Sequence, residues 1–128
     1  MNKRPLSPHL QIYRLPLTAW LSITHRITGV FLSLGMIVLV IFLLAVAQGV
    51  ESFSLVHGFL VSIVGRIFLW SWVYALIFHL CHGFRHLVWD TGHGFDREGF
   101  TRLAAYEIIA SLILLTLIFL LATFKPWL

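Results

Sequence analysis

From Ile27 to Ala47 the chain carries no charged side chain, and Thr28 and Ser33 are its only hydroxyl-bearing residues. A run of this length matches the hydrocarbon core of a bilayer, which a helix crosses in about 20 residues. Inside hydrocarbon the backbone must satisfy its own polar groups, and a helix does so within one segment. Two further stretches, roughly Val61–Trp89 and Ala104–Phe124, have the same character. The pattern predicts an all-α integral membrane protein with spans at about 21–47, 61–89 and 104–124. Residues 1–128 read as a single membrane-anchor domain whose first 20 residues form a cytoplasmic amino-terminal segment. With 59% hydrophobic residues, 11% charged residues and a mean hydropathy of +0.93, a soluble domain is excluded. The second run is longer than a bilayer requires and should tilt or project its polar end into the interface.

The connections carry the topological signal. Gln48–Gly58 reads as a short polar link containing Glu51 and His57 but no lysine or arginine. Asp90–Thr101 is glycine-rich and charged, and it reads as a turn. An inward amino terminus places Lys3, Arg4, Arg14, Arg26, Arg85, Arg97 and Arg102 on the cytoplasmic face, and Arg66 and Lys125 toward the other. Seven against two favours that orientation. Lys125-Pro126-Trp127 would anchor the third span at its outer end. Pro5, Pro8 and Pro16 without an intervening apolar core argue against a cleavable signal. The basic residues are scattered, so nucleic acid is not an expected partner; membrane lipid is. The lone Cys81 can form no intrachain disulfide.

Ionisable residues crowd the inner end of the second span, in His79-Leu80-Cys81-His82-Gly83-Phe84-Arg85-His86-Leu87-Val88-Trp89-Asp90. Each costs several kcal/mol in hydrocarbon, so such a cluster marks a site. At helical spacing His79, Gly83, His86 and Asp90 share one stripe, flanked by His82. An imidazole can ligate a metal, Gly83 lets a flat macrocycle approach the backbone, and His86 lies about 10 Å further along, within reach of the cofactor's carboxylates. The first span enters at Ser22, His25 and Arg26, on the same side of the membrane. The metal would meet His79, about 10 Å deeper than this interface, and the anionic edge would face His25, Arg26 and His86. No Cys-x-x-Cys-His run is present, so a haem would be held non-covalently.

Arg4-Pro5-Leu6, Leu10, Leu17 and Ser22-Ile23-Thr24-His25-Arg26-Ile27-Thr28, followed by His79-x-x-x-Gly83-Phe84-Arg85-His86-Leu87-x-Trp89-Asp90-x-Gly92, closely resemble two motifs of the large cytochrome b membrane-anchor subunit of succinate dehydrogenase, respiratory complex II. The resemblance covers almost the whole chain. It implies a haem-binding helical bundle shared with a partner anchor subunit. His79 takes the position of the axial ligand of haem b, with His25, Arg26 and His86 near the propionates. Ser22 and Arg26 take positions lining a ubiquinone pocket. Asp90 matches a motif position whose partner would be Arg85 or another subunit. The chain would not be an enzyme by itself but a subunit of a succinate:quinone oxidoreductase in the bacterial cytoplasmic membrane or, less readily, the mitochondrial inner membrane. Its other partners would be an iron–sulfur subunit and a flavoprotein.

A six-coordinate haem needs axial nitrogens on opposite faces of the iron. His79 and His82, one turn apart on one helix, cannot supply both; His25 reads as too near the interface, and His57 lies on the far side. A second anchor subunit is therefore required. Two other readings stay open: a fumarate reductase anchor oxidising menaquinol, and a non-redox scaffold or transporter subunit whose polar residues line a wet path. His82 reads as structural. Glu51, His57, Asp96, Glu98 and Glu107 read as solvated or interfacial, and Trp70, Trp72, Trp89 and Trp127 as packing or interface residues.

Overall fold

Pro16 sets where the first helix begins. Its backbone is extended, and its carbonyl accepts from the amides of Ala19 and Trp20 at 3.0 and 3.3 Å. In the computed structural model, which describes residues 14–124, the elements are α1 (Leu17–Gln48), α2 (Val50–Val61), α3 (Ile63–Asp90) and α4 (Arg97–Phe124). All regular structure among the described residues is helical. Three helices, Leu17–Gln48, Ile63–Asp90 and Glu98–Phe124, are long and apolar enough to cross a membrane. Lys3, Arg4, the Arg4-Pro5-Leu6 run, Leu10 and the Lys125-Pro126-Trp127 anchor lie outside the described residues.

The predicted polar link at Gln48–Gly58 is instead mostly helix. Gly49 alone separates α1 from α2, and its φ of 106° is a conformation that side-chain-bearing residues rarely adopt. The chain therefore turns and resumes a helix at once. Glu51, Ser54 and His57 leave Phe53, Val56 and Leu60 at helical spacing, and the Phe53 ring meets Phe42 of α1 edge-on at 6.1 Å. Ser62 ends α2 and caps α3, its hydroxyl oxygen accepting from the Gly65 amide at 3.2 Å. At the other end of α3, Gly92 and Gly94 make the return, and Asp96 caps α4 through its carboxylate and the Gly99 amide at 2.9 Å.

The long helices pack antiparallel in sequence, so the start of α1, the end of α3 and the start of α4 share one end of the bundle. Leu21, Phe78 and Ala104, one from each, form the buried core there, with Ile108 against it. Elsewhere the helices expose apolar surface. Ile27, Val30, Leu34, Ile37, Ile41 and Leu44 run along α1 at spacings of three and four, each more than half exposed. In lipid such a stripe has no penalty, because the acyl chains are as apolar as the side chains.

Candidate functional site

The inward face of α1 near its start carries Leu21, His25 and Thr28, one helical turn apart in succession. The His25 ring lies between two imidazoles of α3. It stacks on His79 at 3.9 Å with an interplanar angle of 20°, and on His82 at 4.1 Å and 17°. His86 is tilted and further off, 6.2 Å from His25. The sequence had placed His25 at the interface, well above His79. The structure puts the two rings at one level, because α1 begins at Leu17 and His25 is already about 12 Å along it.

Hydrogen bonding selects the tautomer of His79 in its neutral form. The Thr28 hydroxyl donates to the His25 carbonyl at 2.8 Å, so its oxygen accepts from His79 Nδ1–H at 3.2 Å. Nε2 then carries the lone pair, the form that ligates metals. Gly29 lets the ring approach closely, since a Cβ there would stand 3.2 Å from His79 Cε1. At Gly83 a Cβ would meet nothing within 4 Å. The surface beside that glycine is open.

The second polar group joins α3 to α4. His82 is fully buried, and its Nδ1–H donates to Glu107 Oε1 at 2.9 Å. Arg85 Nη1 stands 2.7 Å from Glu107 Oε2, off the angle a hydrogen bond needs, so that contact is a Coulombic ion pair. Arg85 Nη2 lies 3.4 Å from His82 Nε2, and its guanidinium sits over the Trp89 ring at 4.9 Å. The side chains of His82, Arg85 and Glu107 are only 1–2% exposed.

These contacts revise two expectations. Glu107 is neither solvated nor interfacial, because α4 starts at Arg97 and carries it about three turns inside the helix. Arg85 pairs with Glu107 rather than Asp90, which is exposed. Glu51, His57, Asp96 and Glu98 are exposed, as the sequence suggested.

The residues singled out from sequence are therefore brought together in part. His25 and His79 touch, and His86 is exposed beside them. Ser22 is half-buried and Arg26 exposed, one turn apart on the flank of α1 next to the His25 face. Sequence reasoning passed over Thr28 as a hydrogen-bond partner and Gly29 as a contact surface, and it read Glu107 as solvated or interfacial. The signal for Glu107 was available: a carboxylate within an apolar run, subject to the same argument that picked out His79. Among the described residues no group of three or more His, Cys, Asp or Glu is arranged to hold a bare metal ion.

Residues 1–119 match the model of the succinate dehydrogenase/fumarate reductase transmembrane subunit family. The chain is 38% identical over 117 residues to a succinate dehydrogenase cytochrome b556 subunit of Rickettsia prowazekii (strain Madrid E), covering 91% of this chain and 90% of the relative. It is 39% identical over 116 residues to the subunit of that name from Paracoccus denitrificans, covering 91% and 89%. Against a succinate dehydrogenase cytochrome b560 subunit of Reclinomonas americana it is 37% identical over 120 residues, covering 90% and 83%. A polar cluster enclosed by three membrane-length helices and a family match across nearly the whole sequence lead to one conclusion: the chain belongs to the succinate dehydrogenase/fumarate reductase transmembrane subunit family.

Proposed function

We propose that this chain is the cytochrome b anchor of a succinate dehydrogenase, holding one haem b together with a second anchor subunit and lining the site where ubiquinone is reduced. The observation that carries the haem assignment is the Thr28–His79 contact, which occupies Nδ1 and leaves Nε2 of His79 as the ligating nitrogen, one helical turn before Gly83, where a Cβ would meet nothing within 4 Å. The donor chemistry fits: a neutral imidazole oriented by a hydroxyl is a haem-iron ligand with its outer shell in place. His79 would bind the iron, and His25, His86 and Arg26 would lie toward the propionates. Bound there, haem supplies one-electron storage.

A second protein ligand to the iron would have to come from outside this chain, for a reason different from depth. His25 is at the level of His79, but its ring is in face contact with it at 3.9 Å, leaving no room for a macrocycle between the two. A partner anchor subunit would supply the other nitrogen.

The quinone chemistry rests on Ser22 and Arg26. As electrons reach a quinone carbonyl, its oxygen gains negative charge. The Ser22 hydroxyl donates a hydrogen bond to it, and the Arg26 guanidinium stabilises it through its field. Those electrons originate with succinate on a flavoprotein and pass through an iron–sulfur subunit docked at the polar end of the bundle, which this reading places on the cytoplasmic side. This chain binds and positions; it does not oxidise succinate. Relatives named for succinate dehydrogenase favour this reading over a menaquinol-oxidising fumarate reductase.

The test is a pair of substitutions in the assembled complex. His79→Ala should abolish or alter the low-spin b-type spectrum. Ser22→Ala should slow succinate-dependent quinone reduction by up to roughly tenfold, the worth of one hydrogen bond, while the spectrum and dye-linked succinate oxidation stay intact. An unchanged spectrum in the first variant, or an unchanged rate in the second, sends the corresponding assignment elsewhere.

A further inference from the structure

The Glu107–Arg85–His82 group asks for a reason beyond stability. Burying a charged pair costs several kcal/mol per ion, and apolar replacements of similar volume are often as stable or more so. The same two helices also pack without polar contacts further along, where Trp70 of α3 meets Phe119 of α4 at 5.1 Å. What the polar group does that an apolar one would not is hold an imidazole in one orientation. Glu107 Oε1 accepts from His82 Nδ1–H, which fixes that ring's tautomer and plane. The face of His82 then lies on His25, and the opposite face of His25 lies on His79.

We propose that Glu107 is a positioning residue for the haem site, acting from α4 through the ring of His82 and the ring of His25 to set the plane of the His79 imidazole. The chain of contact crosses all three long helices, from Glu107 on α4 to His82 on α3, to His25 on α1 and back to His79 on α3. Thr28 grips His79 by its Nδ1 edge, and the stack fixes its face. Two constraints of different kind, one directional and one planar, leave the ring little freedom to rotate. This inference rests on the assignment of His79 as an iron ligand.

The experiment uses the complex purified from membranes with its partner subunits. Glu107→Gln retains the size of the side chain but no longer matches both Arg85 and His82 Nδ1–H. In the haem-loaded variant the g-values of the low-spin electron paramagnetic resonance signal, which report ligand-plane orientation, should shift. Haem should also pass to an apoglobin acceptor about tenfold faster, the usual scale for loss of an outer-shell partner. Unmoved g-values and an unmoved transfer rate overturn the proposal. If Glu107→Gln does not assemble, the double variant Arg85→Leu with Glu107→Leu decides, because it removes equal and opposite charges and leaves none unpaired. It should assemble with shifted g-values. An unshifted signal, or a second failure to assemble, makes the group a folding clamp and overturns the positioning role. A wild-type complex without low-spin haem overturns the haem assignment itself, whereas a haem-loaded wild type with unmoved variants overturns only the role of Glu107.

Discussion

At one end of the bundle α1 and α3 meet through His25 lying flat on His79 and His82, and α4 joins them through Glu107. Toward the other end the same two helices meet with Gly35 under the Trp72 indole and with Phe31 edge-on to Phe68 at 5.8 Å. The apolar end needs only a glycine opposite a large ring, the small-against-large fit that brings helix backbones close where lipid gives no hydrophobic drive. The polar end could have been built likewise. It instead buries a guanidinium, a carboxylate and the imidazole of His82, with His25 and His79 half-buried beside them, and each buried group is costly unless matched. The difference separates what the fold requires from what function adds: packing explains Gly35 opposite the Trp72 ring, but it gives no reason for Glu107.

The sharpest way to break this contrast is to remove one side of the buried pair. Glu107→Leu strands Arg85 among apolar side chains and should destabilise the chain by about 3–5 kcal/mol, read as a lower midpoint in detergent-based unfolding. A change near zero would mean that Arg85 reaches the interface and that the two ends differ less than their contacts suggest. At the apolar end, Gly35→Ala places a methyl group into the Trp72 indole, whose ring must move. The cost of such overpacking is about 1–3 kcal/mol. Trp72→Phe should recover most of it, and the spectrum of any bound haem should stay unchanged throughout. A spectral change in Gly35→Ala would show that the two ends are coupled and that strain travels along α1.

Much of this contrast is visible in the sequence, and where it is hidden the cause is the same each time. Apolar runs are readable because hydrocarbon tolerates nothing else, so Ile27–Ala47 announces a span. His79 is readable because it interrupts such a run beside Gly83. A helix, however, extends past its apolar run into the interface, and the run alone underestimates it. α1 starts at Leu17 and α4 at Arg97, so His25 and Glu107 are inside helices rather than at their rims. Both therefore sit further inside the bundle than the apolar runs suggest. α2 was missed because its polar residues are frequent enough to look like a loop, whereas Gly49 shows that one residue suffices to turn between helices. Which carboxylate Arg85 would choose is a tertiary fact: Asp90 is nearer in sequence, Glu107 nearer in space.

The smallest expected effect probes the polar end without disturbing its charges. Thr28→Val is nearly isosteric and removes both hydrogen bonds of the hydroxyl, the donation to the His25 carbonyl at 2.8 Å and the acceptance from His79 Nδ1 at 3.2 Å. The His25 carbonyl keeps its own helical partner, so the net loss is that of one neutral contact, about 0.5–1.5 kcal/mol. Thr28→Ser keeps both bonds and should match the unsubstituted chain. The pair therefore separates hydrogen bonding from packing: Val should loosen the His79 ring and weaken haem retention, while the unfolding midpoint moves only slightly and Ser restores the original behaviour. If Val and Ser behave alike in haem retention, the tautomer of His79 is set by the stack on His25 alone, and the polar end has one constraint on its ligand rather than two.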